Sequence, residues 1–177
     1  MTKADAARKI VKCRLTVDLL TFNPKILDRL LLQKAAAYCA YQERTQDEVR
    51  QRIKKWGVEE EDEAEELIAE LITMNYLSEE RFAKTYAGSK FRQKKWGKRR
   101  IKQELSRRGL TSHNIDQGMN EIEDKAYEAT LRDLINKKLE SLERTESDAR
   151  KRKQKLARYA LGKGYESELV WKIIKED

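Results

Sequence analysis

Val49-Arg50-Gln51-Arg52-Ile53-Lys54-Lys55-Trp56-Gly57-Val58 places an apolar residue every fourth position along a basic stretch and ends on a glycine. That is the pattern of a short amphipathic helix with a left-handed stop. The pattern returns at Ile101-Lys102-Gln103-Glu104-Leu105-Ser106-Arg107-Arg108-Gly109-Leu110, and again with Leu156, Ala160, Gly164 and Tyr165. The three glycines lie 52 and 55 residues apart, so Val49, Ile53 and Val58 align with Ile101, Leu105 and Leu110, then with Leu156, Ala160 and Tyr165. A fixed apolar period around a helix-stopping glycine is the mark of a tandem repeat. The chain reads as all-α: an elongated, curved array of three three-helix repeats.

Working outward, the repeat divides the 177 residues into 1–33, an N-terminal extension and the start of the first helix, then 34–77, 78–124 and 125–177. Asn23-Pro24 predicts a cap followed by proline at the first helical position. Thr45 and Glu48 have capping-box spacing, with Glu48 expected to bond back to the Thr45 amide. After the acidic leader Glu59–Glu63, residues Ala64, Leu67, Ile68, Leu71 and Ile72 trace one buried face. Ser78 caps the next unit, with Leu77 and Phe82 spaced as a staple around it. Ala83, Tyr86, Ala87 and Phe91 should be buried there. Leu110/Ile115 and Tyr165/Val170 repeat the staple spacing. Leu131, Leu134, Ile135, Leu139 and Leu142 stripe the long helix of the third unit.

Apolar residues make up 39% of the chain and charged residues 40%, against roughly a quarter charged in an average globular protein. Such a chain supports a thin continuous core. The net charge is +8, but the four segments carry +4, −5, +5 and +4 in order. A sign change between otherwise similar units points to a surface that meets a charged partner. Cys13 and Cys39 match no metal-ligand spacing and read as reduced thiols of a cytoplasmic protein. No apolar run approaches the ~20 residues of a membrane span.

Enzymatic chemistry finds little to work with. His113 is the single histidine, which excludes a histidine cluster or a multi-histidine metal site. Gly162-Lys163-Gly164 is too short for a phosphate loop, and Glu59–Glu63 lacks EF-hand spacing. A non-catalytic protein without a cofactor is expected.

The strongest chemical signal is cationic. Ten of the nineteen residues from Lys90 to Arg108 are Lys or Arg, and Glu104 is the only acid among them. They include Arg92, Lys94, Lys95, Lys98, Arg99, Arg100, Lys102, Arg107 and Arg108. A second cluster, with Arg150, Arg152, Lys153 and Arg158, occupies the corresponding helix of the third unit. Basic helices at equivalent repeat positions suit a long acidic or nucleic-acid track better than a local pocket. Trp56 and Trp96, each before a glycine, read first as packing at helix corners and second as platforms for bases.

These segments resemble the RecX family of bacterial regulators of the RecA recombinase. The resemblance is carried by Ala37-Tyr38-Cys39 with Glu43-Arg44, by Glu48-Val49 through Trp56-Gly57, and by Met74 through Ala83. Trp96-Gly97, Arg100-Ile101, Glu104-Leu105 and Gly109-Leu110 complete it. It implies three tandem three-helix repeats in a non-enzymatic protein that binds in the groove of the RecA–DNA filament. There it would restrain filament growth, ATP hydrolysis, strand exchange and repressor cleavage. Tyr76, Leu77, Phe82, Ala83, Ile101, Leu105 and Gly109 match the family's structural pattern. Arg81, Arg100 and the neighbouring basic residues match positions expected to face filament or DNA. Ser78 stands where many relatives carry Asp, a conservative cap exchange.

The expected partners are therefore a RecA filament and single- or double-stranded DNA, engaged by a monomer. The competing reading is a general, sequence-independent nucleic-acid-binding helical protein. Reversing Lys98, Arg99 and Lys102 to Glu is expected to weaken filament binding while leaving the helices intact.

Overall fold

The computed structural model describes residues 24–176, which form nine helices joined by turns and loops. The first unit holds α1 (Pro24–Tyr41), α2 (Gln46–Lys55) and α3 (Glu61–Thr73). The second holds α4 (Glu79–Lys94), α5 (Lys98–Arg107) and α6 (Ser112–Met119). The third holds α7 (Asp124–Glu143), α8 (Ala149–Lys163) and α9 (Ser167–Glu176). The expected extension 1–22, Cys13 and the Asn23 cap lie outside the described residues.

The repeat is legible in the helix ends. Gly57, Gly109 and Gly164 adopt φ of 98°, 82° and 92°, where an L side chain is strained. Past the latter two, the Leu110 and Tyr165 amides return to the Leu105 and Ala160 carbonyls, each at 3.3 Å. This is the Schellman closure that satisfies orphan carbonyls. At the starts, Thr45, Ser78 and Thr111 each accept the amide three residues on, at 3.1, 3.2 and 3.3 Å. The return bond expected from Glu48 to Thr45 is not made. The Glu48 carboxylate instead reaches Arg108 of the second unit, 2.6 Å away.

Three positions differ from the sequence reading because packing overrides periodicity. Ile72 is 44% exposed at the end of α3. Tyr86 is half-buried, its ring covered by the Arg108 guanidinium 5.1 Å from the centroid. Tyr76, which matches the family's structural pattern, is exposed, while the adjacent Leu77 is buried.

The core itself divides unevenly. Ala35, Val49, Ile53, Ile68, Leu71 and Leu77 belong to one cluster confined to the first unit. Phe82, Ile101, Leu105, Leu131, Ile135, Tyr165 and Ile173 belong to a second, shared by the second and third units. Leu77 and Phe82, expected to touch as a staple, therefore fall into different cores. Burial of each such aliphatic side chain stabilises by about 1.5–3 kcal/mol. Units 2 and 3 share that gain, whereas unit 1 keeps its own.

The two joints differ accordingly. Between units 1 and 2 the bridges are ionic: Arg108 to Glu48, and Arg81 to Glu43. Between units 2 and 3 the backbone itself is joined. The Gly97 amide donates to the Lys163 carbonyl at 2.9 Å and the Arg99 amide to the Gly164 carbonyl at 3.1 Å. A Cβ at Gly97 would fall under 3.0 Å from the Gly164 carbonyl, so only glycine permits this approach. The buried Tyr127 hydroxyl completes the joint, accepting from the Lys98 amide at 2.8 Å and donating to Glu166 at 2.7 Å. Burial and that carboxylate together push the Tyr127 phenol far above its ordinary range.

Candidate polyanion-binding surface

The cationic residues sort by what each one touches. Lys98 and Lys102 on α5 pair with Asp124 and Asp116 at 2.6 and 3.0 Å. The Lys98 ammonium holds the Asp124 carboxyl below its usual value. Arg81 is a clamp: besides Glu43, it donates to the Asn75 side chain at 2.9 Å and the Asn75 carbonyl at 3.2 Å. Arg108 is similarly held by Glu48. Arg152 donates to the Glu146 and Ser147 carbonyls at 2.9 and 2.8 Å, and Lys153 to the Ile174 carbonyl at 3.2 Å. These six secure the fold, and sequence reasoning could not separate them because their acceptors lie in other helices or are loop side chains and carbonyls.

Among the described residues, Arg92, Lys94, Lys95, Arg99, Arg150 and Arg158 have no acidic partner, and all six are exposed. Lys95 carries a further signal, a φ of 53° at the end of α4 where glycine is the ordinary choice. A lysine there costs about 1–2 kcal/mol of backbone strain. Strain of this kind concentrates at functional positions.

Arg100 and Arg107 are intermediate cases. The Arg100 guanidinium lies 4.1 Å from the Trp96 ring centroid and within 3.5 Å of the Gly162 carbonyl. Such stacking fixes the planar fork without neutralising it. Arg107 pairs with Glu104 at 3.2 Å but remains 64% exposed. Trp96 is half-buried against the shared core, and Lys90 also approaches its ring. Its ring is engaged by cations of its own chain, which supports the packing reading over base stacking. Trp56 is likewise approached by Lys34 at 4.4 Å and by Arg52 at 5.6 Å.

The joint between units 2 and 3 draws part of the set together. Arg99, Arg100 and Arg107 line one cleft with Gln103 and Glu104, facing Leu161, Gly162 and Gly164 at the end of α8. Gln103 and Leu161, uncharged, give no sequence signal of a site, and Gly162 enters there only as part of a run too short for a phosphate loop. The i, i+4, i+8 row of 99, 103 and 107 was visible there, but the opposing wall required the fold. Arg81 and Arg108 sit instead at the first joint. Among the described residues no group of three or more His, Cys, Asp or Glu is arranged to hold a metal, and no helix is long and apolar enough to cross a membrane. His113 is exposed in the first turn of α6.

Comparison with known proteins places this architecture. The RecX first, second and third three-helix domain models match residues 32–71, 78–119 and 126–174 in order. A protein named Regulatory protein RecX from Listeria monocytogenes serotype 4a is 31% identical over 140 residues, 78% of this chain and 51% of that one. One of the same name from Clostridium perfringens strain 13 is 30% identical over 132 residues, covering 75% and 61% of the two chains. Another, from Amycolatopsis mediterranei, is 28% identical over 82% of this chain and 83% of its own. The chain thus spans about half to three fifths of the listerial and clostridial relatives. The crystal structure of RecX from Lactobacillus salivarius superposes with a TM-score of 0.76 over 84% of this chain and 95% of that one, at 23% identity, and so shares the fold. With three consecutive domains matched in their proper order, the chain belongs to the RecX family.

Proposed function

We propose that this chain is a non-catalytic cytoplasmic regulator that binds along a RecA–DNA filament and restrains RecA activity in recombination, repair and the SOS response. The observation that carries the reading is the pairing of one stiff two-unit body with exposed, acid-free cations on its α4, α5 and α8 segments. A polymer with a regular charged surface is matched by charges held at fixed separations, and several modest contacts then add through avidity. The family's name as a regulatory protein supports the same direction.

The test is inhibition of RecA ATP hydrolysis on single-stranded DNA, titrated with the purified chain. The structure changes which variant is informative. Reversal of Lys98 and Lys102 would set new carboxylates against Asp124 and Asp116, so unit 2 itself would suffer. Neutralising Lys94, Lys95, Arg150 and Arg158 avoids this. Four exposed charge contacts of a few tenths of a kcal/mol each amount to ~1.4 kcal/mol, a tenfold weaker inhibition. Absence of inhibition by the unaltered chain would contradict the proposal.

A further inference from the structure

The cleft at the second joint differs from the rest of the cationic surface in three respects. It has two walls from two repeats, with α5 supplying Arg99, Arg100, Gln103, Glu104 and Arg107 and the end of α8 supplying Leu161, Gly162 and Gly164; the one acid, Glu104, is paired with Arg107 at 3.2 Å, which leaves the lining net positive. Every cation lining it is an arginine, although lysines abound on the helices around it. It is long rather than round: Arg99 to Arg107 spans about 12 Å of helix, along a volume of about 560 Å³. Arg158 lies one turn before Gly162 on the same face of α8 and extends that wall.

The lining chooses among possible occupants. A docked protein segment needs an apolar anchor at the centre of its contact. Here the sole apolar side chain is Leu161, 37% exposed. Interfaces with nucleic acid, in contrast, are polar and strongly positive. Guanidinium forks match phosphate oxygens in pairs, and Arg100 is already oriented by Trp96 and the Gly162 carbonyl. A single phosphate would fill one end of the row only, whereas a phosphodiester chain fills its length. The α5 amides take no part, since those of Lys98 and Arg99 donate to the Tyr127 hydroxyl and the Gly164 carbonyl. With Trp96 engaged by Arg100 and Lys90, no aromatic side chain among the described residues lines the cleft to stack a base.

We infer that the α5–α8 cleft is a track for the phosphodiester backbone of nucleic acid, assembled by the docking of units 2 and 3 and indifferent to base sequence. This deepens the function proposed above by assigning the cleft to DNA and leaving the outlying cations to the filament protein. It rests on that reading for its biological setting, while its chemistry stands on the cleft alone.

The experiment is fluorescence anisotropy of the full chain with a 5′-labelled oligothymidylate of about 20 nucleotides, measured across a salt series. Arg99→Gln with Arg107→Gln removes two phosphate contacts, so the slope of log affinity against log salt should fall by about 1.4, at ~0.7 per contact on a single strand. Lys137→Gln with Lys175→Gln, equal in charge lost but on α7 and α9 and outside the cleft lining, should leave the slope in place. Circular dichroism checks that both variants keep their helices. Poly-glutamate at equal charge should displace the probe far less well than unlabelled oligothymidylate. Equal slope changes in the two variants, no change in the first, or equally good displacement by poly-glutamate would each overturn the inference. RecA cosedimentation keeps the readings apart. Filament binding with no slope change in the Arg99/Arg107 variant sinks the cleft and spares the regulator. The expected slope change in a chain that ignores filaments does the reverse.

Discussion

Replacing Gly164 by alanine tests the stiff joint between units 2 and 3. Two costs arise together. At φ 92° the new Cβ sits in the left-handed region, worth about 1–2 kcal/mol. It would also stand 2.7 Å from the Arg100 amide nitrogen and closer still to the Arg100 Cβ, so the helix ends must separate. Separation weakens the bonds from the Gly97 and Arg99 amides to α8, each worth about 0.5–1.5 kcal/mol. The sum is a loss of ~2–5 kcal/mol. Gly57→Ala is the matched control: its φ is 98°, but nothing lies within 4 Å of the added Cβ. It should lose only the ~1–2 kcal/mol of backbone strain. Gly162→Ala, also in open space but within α8, should gain about 0.5–1 kcal/mol. Urea denaturation of the three variants, followed by circular dichroism, measures the differences. Equal losses for Gly164→Ala and Gly57→Ala would refute the claim that close backbone approach holds the joint.

Lys95→Gly relieves the left-handed strain at the end of α4 and should raise stability by about 1 kcal/mol while weakening filament inhibition; a destabilised variant would show that the lysine is not strained. Glu43→Gln with Glu48→Gln removes the acids that hold Arg81 and Arg108, so unit 1 should gain amide exchange at lower cost than units 2 and 3. In unaltered protein high salt should act in the same direction, and uniform protection across all three units would contradict the ionic joint. Acid provides another check. The Asp124 carboxyl is held below its ordinary value of 3.8 by the hydrogen bond from Lys98, so its contribution is complete above that value and is lost as pH falls through the lower, folded-state value. Asp124→Asn should therefore lose less stability on acidification than the unaltered chain.

The repeat was legible because its signals are local. Gly57, Gly109 and Gly164 punctuate helices whose apolar residues recur every fourth position, and the Thr45, Ser78 and Thr111 caps need only neighbours three residues away. What sequence could not show is where long side chains end. Lys98 and Arg99 are adjacent and equally basic, yet one is bound to Asp124, 26 residues on, and the other lines the cleft against α8 without an acidic partner. The uneven division of the core was hidden for the same reason. Leu77 and Phe82 have the spacing of a staple, but their burial belongs to different units. One equivalence emerges only from the coordinates. Trp56 and Arg108 hold the same repeat position, and each meets its equivalent partner with roles exchanged: Lys34 lies over Trp56, whereas Arg108 lies over Tyr86. Conservation of the cation–aromatic contact across a swapped pair is invisible to an alignment of residue types.

Retention on RecA filaments against DNA alone, at matched salt, tests the regulator reading most directly. Cosedimentation of the full chain with RecA assembled on single-stranded DNA should exceed that with the same DNA free of RecA. Equal retention on the two would make the chain a general nucleic-acid binder and contradict the account.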